Sequence, residues 1–123
     1  MLVDTHCHLG DTAFSADRAE VTGRAFDAGV GHLVVVGESR SSTELGLELA
    51  AAEPRISTTA GLHPHDARTW TDDTEAWLAH TLLDPRVVAC GEIGLDYHYD
   101  HSPRDIQRRV FERQMTLAGA AGK

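Results

Sequence analysis

A strand-like segment followed by a helix-like segment recurs four times along the 123 residues, and no other feature constrains the fold as much. The strand-like segments are short and rich in β-branched residues, and they span 2–6, 32–37, 56–61 and 87–92. Strict alternation is typical of a parallel sheet with helices packed on it. A complete (β/α)₈ barrel needs about 250 residues. The pattern therefore predicts a single α/β unit, either a small open sheet or half of a barrel.

A serine or threonine precedes each of the four predicted helices, at a position from which it can cap the helix. Ser15, Ser42, Thr71 and Ser102 are predicted to accept a hydrogen bond from the first turn of the helix that follows. Pro85 is predicted to end the third helix, because proline removes a backbone donor and disfavours helical geometry in the residue before it.

The composition excludes several classes of protein. The net charge of −8 argues against a nucleic-acid binder that works through a basic patch. No apolar run approaches the ~20 residues of a membrane span, and Asp4 interrupts the position of a signal-peptide core, so we expect a cytoplasmic protein without a membrane partner. Two cysteines make no disulfide framework.

Histidines and one glutamate collect where the predicted strands end, which is where α/β proteins place their functional residues. His6 and His8 lie two apart in a strand, so both side chains face the same side and can hold one divalent metal ion. Glu92 ends the fourth strand between apolar neighbours, and a carboxylate there is costly unless it is paired or metal-bound. We predict that His6, His8 and Glu92 are metal ligands.

Other polar residues near these ends have less defined roles. His63 and His65 follow the third strand and are predicted to bind substrate; orienting a ligand or only capping the loop are the alternatives. The polar residues of the next loop are interpreted as mainly solvated; they are Asp96, Tyr97, His98, Asp100 and His101. Alternation predicts that Cys7 faces the helices and that Cys90, in phase with Glu92, faces the opposite side of the sheet.

Three motifs in order and at matching separations resemble the TatD-related metal-dependent deoxyribonucleases of the amidohydrolase superfamily. They are DTHCHL at 4–9, GLHPH at 61–65 and GEIGLDY at 91–97. The resemblance runs over the whole chain. It implies that residues 1–123 are one partial domain: the first four βα units of a TIM barrel, with parallel strands inside and helices outside.

The same resemblance implies a site with two divalent metal ions (Zn²⁺, Mn²⁺ or Mg²⁺) that cleaves phosphodiester bonds of DNA. His6 and His8 would bind the first ion, and Glu92 would bridge both and serve as the catalytic carboxylate. His63 would lie near the substrate phosphate. In the family, two further histidines and an aspartate on later strands complete the site, and these positions lie beyond residue 123. We therefore expect residues 1–123 alone to be inactive and to self-associate through open sheet edges.

Two alternatives use the same architecture. One is an ester hydrolase, for example on D-aminoacyl-tRNA, with the same metal ligands. The other is a non-catalytic half-barrel remnant that binds a metal weakly or only associates with partners.

Overall fold

Strands and helices alternate four times in the computed structural model, which describes residues 1–123. The strands are β1 Leu2–Cys7, β2 Val30–Val35, β3 Ile56–Ala60 and β4 Val87–Cys90. The helices are α1 Arg18–Asp27, α2 Arg40–Ala52, α3 Asp72–Thr81 and α4 Arg104–Ala120. None of these helices combines the length and the apolar character needed to cross a membrane.

The four strands form one sheet in the order β1-β2-β3-β4, and all three pairings are parallel. This confirms the α/β prediction. Since neighbours in sequence are neighbours in the sheet, β1 and β4 are the two edges. Their outer backbone N–H and C=O groups have no strand to pair with in this chain.

Of the four predicted helix caps, one agrees with the structure and three differ. Thr71 accepts a hydrogen bond from the backbone N–H of Thr74 at 3.2 Å and caps α3 as predicted. The prediction for Ser42 is wrong, because α2 begins one turn earlier with Ser39 as its cap and Ser42 as the reciprocal partner of that cap. The prediction for Ser15 is also wrong, because a 3₁₀ turn comes first and α1 begins only after Asp17.

The predictions for Ser102 as a cap of α4 and for Pro85 as the end of α3 are also wrong. Ser102 is buried, and its hydroxyl donates to the carbonyl of His65 at 2.8 Å and accepts from the N–H of Arg68 at 3.1 Å. It therefore joins two loops and does not cap α4, which begins after Pro103. Helix α3 ends at Thr81, before Pro85 is reached.

The helices cover one face of the sheet, and the core lies between that face and the helices. Leu33, Val35 and Ile56 are buried there beside α1 and α2. On the opposite face the edge strands remain accessible: Leu2 is 64% exposed and Val88 is 48% exposed. A half-barrel has this character, because its inner face is covered only when more strands complete the ring.

The orientation of Cys7 agrees with the sequence prediction, and that of Cys90 does not. Cys7 packs with the buried cluster under the helices. Cys90 also faces the helices, where it packs beside Leu78 and Leu82. The cause is a bulge: Thr58 pairs with Val87 and Thr59 with Ala89, so β4 uses one extra residue and its alternation shifts. Both thiols are free, as predicted.

Burial raises the pKa of the Cys90 thiol to about 11. Because the thiolate is the reactive form, Cys90 is expected to react with iodoacetamide at pH 8 about 100-fold more slowly than free cysteine, whose thiol has a pKa near 8.5. The measurement is peptide mass spectrometry over time in native buffer. The matched control is the same chain in urea, where Cys90 should react at the ordinary rate. A fast reaction in native buffer would contradict the packing of Cys90 against the helices.

Candidate metal centre

His6 and His8 are positioned by the end of the edge strand β1. His6 is still in the strand and its backbone N–H donates to the Asp4 carboxylate at 3.1 Å. His8 lies one residue past the strand. The two Nε2 atoms are 3.1 Å apart, so both imidazoles do face the same side, as the i, i+2 spacing predicts.

Glu92 reaches these histidines because the segment after β4 crosses over the end of β3. The N–H of Gly91 donates to the carbonyl of Ala60, at the end of β3, at 2.9 Å. The next N–H, of Glu92, donates at 2.8 Å to the carbonyl of Gly37, which follows β2. One carboxylate oxygen of Glu92 thus lies 3.6 Å from Nε2 of His6.

The three predicted ligands form a group that fits a divalent metal ion. One ligand atom each from His6, His8 and Glu92 lie within 4.8 Å of one another. Two atoms that coordinate the same tetrahedral Zn²⁺ at 2.0–2.1 Å are about 3.3 Å apart, close to the 3.1 and 3.6 Å found here. Imidazole and carboxylate are also a donor set that suits Zn²⁺ and Mn²⁺.

Gly61 lies under the crossing segment and leaves no room for a side chain. A Cβ atom there would be 2.8 Å from Cγ2 of Ile93 and 2.9 Å from the carbonyl carbon of Gly91. Both are closer than real Cβ contacts allow. The close approach of the two backbones therefore requires glycine, and it sets the position of Glu92.

Gly61→Ala is expected to destabilise the chain by about 1–3 kcal/mol, because the crossing segment must move to admit the methyl group. It should also weaken metal binding, since Glu92 moves with that segment. The control is Gly23→Ala in α1, where a Cβ meets nothing within 4 Å; this change should stabilise by about 0.5–1 kcal/mol. Urea unfolding and Zn²⁺ calorimetry measure both effects. Equal stability of the two variants would contradict the close approach at Gly61.

His63 faces the centre with one defined nitrogen. Its Nδ1 accepts a hydrogen bond from the N–H of His65 at 3.1 Å, so in the neutral ring the proton is on Nε2. That Nε2 lies 3.8 Å from the second carboxylate oxygen of Glu92. The backbone N–H of His63 donates to the carbonyl of Glu38 at 2.9 Å, and this bond connects the loop after β3 to the loop after β2.

His65, by contrast, pairs with Asp96 through Nε2 and a carboxylate oxygen. The second oxygen of Asp96 accepts from the N–H groups of His98 and Tyr99 at 3.0 and 3.2 Å. Desolvation acts to raise the pKa of the Asp96 carboxyl, but these hydrogen bonds and the contact with His65 together lower it. The interpretation of Asp96 as merely solvated is wrong, because this residue orders its own loop and fixes the ring of His65.

Sequence reasoning missed three residues that support the centre. Glu38 follows β2, and its carboxylate lies 3.9 Å from Nδ1 of His8. Gln114 is buried in α4 and pairs with both backbone groups of Leu62, at 2.7 and 3.0 Å. Gln107, two turns earlier on the same face of α4, pairs in the same way with the backbone of Asp96 at 2.7 and 3.0 Å. The available signal was a pair of glutamines in the apolar stripe of α4.

Comparison with known proteins decides the family. The TatD related DNase family matches residues 3–123. The chain belongs to this family.

Relatives of the TatD family match nearly the whole chain. It is 42% identical over 118 residues to the uncharacterized metal-dependent hydrolase YabD of Bacillus subtilis, covering 96% of this chain and 46% of that protein. It is 37% identical over 123 residues to the 3'-5' ssDNA/RNA exonuclease TatD of Edwardsiella piscicida, covering 99% and 47%. The chain thus spans about half the length of the curated relatives it matches.

A solved TatD-family structure shares the fold. The crystal structure of YJJV, a TatD homolog from Escherichia coli K12, superposes with a TM-score of 0.89 at 32% identity. The match covers 98% of this chain and 48% of that one. Of the two architectures the sequence allowed, the comparison supports the half-barrel.

Proposed function

We propose that residues 1–123 form a partial domain, the first half of a metal-dependent phosphodiesterase that acts on nucleic acid. The observation that carries this proposal is the convergence of His6, His8 and Glu92 within 4.8 Å at one end of the sheet. Membership of the TatD related DNase family supports it, as does the name of the Edwardsiella piscicida relative, an exonuclease for single-stranded DNA and RNA.

In this proposal His6 and His8 would hold one divalent ion, and Glu92 would supply a carboxylate ligand to that ion and to a second one. When bound, such ions would supply positive charge for the phosphate oxygens and would activate water near neutral pH. The ions also explain how a chain of net charge −8 can act on a polyanion, because they make the site locally positive.

His63 has a separate role in the proposal. Its Nε2–H faces the centre beside Glu92, so it can donate a hydrogen bond to a phosphate oxygen while Glu92 holds the metal. Its other nitrogen is occupied by the N–H of His65, which fixes which ring edge meets the substrate. In this proposal His65, whose ring is held by Asp96, would contact the substrate beside His63 and would not be a metal ligand.

The test is a completed barrel: residues 1–123 joined to the remaining half of the Edwardsiella piscicida relative. With Mn²⁺ or Mg²⁺ it is expected to shorten a 5′-labelled single-stranded DNA from its 3′ end. The Glu92→Gln variant of the same fusion should lose this activity, because the amide no longer offers a bridging anion. The parallel substrate is a D-aminoacyl-tRNA. Release of the amino acid with intact nucleic acid would favour the ester hydrolase instead, and inactivity on both substrates would favour the non-catalytic remnant.

A further inference from the structure

Exposed rings cover the segment between β4 and α4, here called the ring loop, residues 97–101. Tyr97, His98, Tyr99 and His101 are all exposed. Tyr99 is 64% exposed, which is high for a large aromatic side chain. The proposed chemistry at Glu92 uses none of these four side chains.

Two rings of this loop are held parallel next to the metal centre. The planes of Tyr99 and His101 differ by 1°, with centroids 5.6 Å apart. The ring of His65 stands edge-on to both, at 5.7 Å from Tyr99 and 4.6 Å from His101. On its other side His65 contacts His63, with centroids 4.2 Å apart. One imidazole therefore separates the parallel rings from the histidine that faces Glu92.

Positive charge borders the same loop. The guanidinium of Arg104 lies 4.5 Å from the centroid of Tyr97, and that of Arg108 donates to the Tyr97 hydroxyl at 3.3 Å. Arg104 is neutralised by Asp100. Arg108 is exposed and forms no ion pair with a carboxylate of this chain. In an acidic chain, an uncompensated guanidinium beside exposed rings favours a ligand that is both anionic and flat.

We infer that the ring loop binds a nucleobase of a single-stranded nucleic acid, with Tyr99 as the stacking residue. The inference rests on the proposed function, because it assigns a neighbouring phosphate of the same strand to the metal centre. Stacking on aromatic side chains tolerates any sequence, since every base has a flat π face. In a duplex both faces of an internal base are covered by its neighbours. The ring loop therefore selects single strands and frayed ends over paired DNA.

The experiment measures binding of a fluorescein-labelled oligothymidylate to the chain in the presence of Zn²⁺, by fluorescence anisotropy. Tyr99→Leu is expected to weaken binding by about 5- to 100-fold, the range found for loss of one stacked base. Tyr99→Phe keeps the ring and should bind within about twofold of the wild type. Because Tyr99 is mostly exposed, both variants should unfold at the wild-type urea concentration.

An abasic strand of the same length separates stacking from charge. It should bind the wild type as weakly as oligothymidylate binds Tyr99→Leu, and Tyr99→Leu should not weaken it further. If Tyr99→Leu binds oligothymidylate as well as the wild type does, or if the wild type binds both strands equally, the inference is overturned while the metal centre stands. If the wild type takes up no Zn²⁺ in calorimetry, the proposed function fails first.

Discussion

Replacing both His6 and His8 with alanine is expected to weaken Zn²⁺ binding by more than about 100-fold, as measured by isothermal titration calorimetry. Loss of a residue that only supports a metal ligand already costs 10- to 100-fold in affinity, and this variant removes two of the three proposed ligands. Binding should also weaken in acid, because protons compete with the metal for the imidazole nitrogens.

The matched control is His80→Ala, which removes an exposed histidine of α3 that lies outside the ligand group. It should leave the affinity unchanged. A second readout is stability: Zn²⁺ at 100 times its dissociation constant should raise the free energy of unfolding of the wild type by about 2.7 kcal/mol. If the double variant keeps both the affinity and this stabilisation, the metal binds elsewhere and the assignment of His6 and His8 is wrong.

Supplying four further βα units is expected to raise DNA cleavage by at least about 1000-fold over residues 1–123 alone. One preorganised electrostatic group is worth about 10²–10³ in rate, and the two histidines and the aspartate that the family resemblance implies would come from the added half. The source is the second half of the Edwardsiella piscicida relative, expressed as a separate chain, so that association itself is tested. The assay follows release of acid-soluble nucleotides in Mn²⁺.

The same mixture should change the size of the protein in solution. Alone, residues 1–123 are expected to scatter light as a dimer or larger species, not as a 13.3 kDa monomer, because β1 and β4 present unpaired edges and Leu2 and Val88 are exposed. With the added half, a single complex should form. Glu92→Gln should form that complex without gaining activity. A stable monomer of residues 1–123 that cleaves DNA by itself would overturn this account.

The fold was predictable where one residue's environment is set by its neighbours in sequence. The alternation of apolar strands and helical stripes gave the parallel sheet, and Thr71 was recognised as a cap. The cap of α2 was predicted wrongly because Ser39, Ser41 and Ser42 are chemically equivalent candidates, and the helix begins after the first of them, with Ser42 as the reciprocal partner of Ser39. The predicted orientation of the Cys90 side chain was wrong because β4 contains a bulge. The bulge arises from the pairing of β4 with β3, and the alternation within a single strand does not reveal it.

The metal centre was likewise predictable only in part. His6, His8 and Glu92 could be named because each lies at a strand end, a position that topology makes functional. The pairing of His65 with Asp96 spans 31 residues of sequence, and that of Gln114 with Leu62 spans 52. Such contacts depend on how loops and α4 pack over the sheet. The sequence places Gln107 and Gln114 among the apolar residues of α4, but neither their burial nor the backbone groups that they satisfy can be read from it.

The crossing of the segment after β4 over the end of β3 has a mechanical consequence. Two proposed ligands belong to one edge of the sheet and the third comes from the opposite edge, so the distance between His6 and Glu92 depends on how strongly the sheet is curled. A flatter sheet would pull the ligands apart, and a tighter one would press them together. An ion bound by ligands from both edges would fix the distance between β1 and β4. That distance is the gap that four further strands must span to close a barrel.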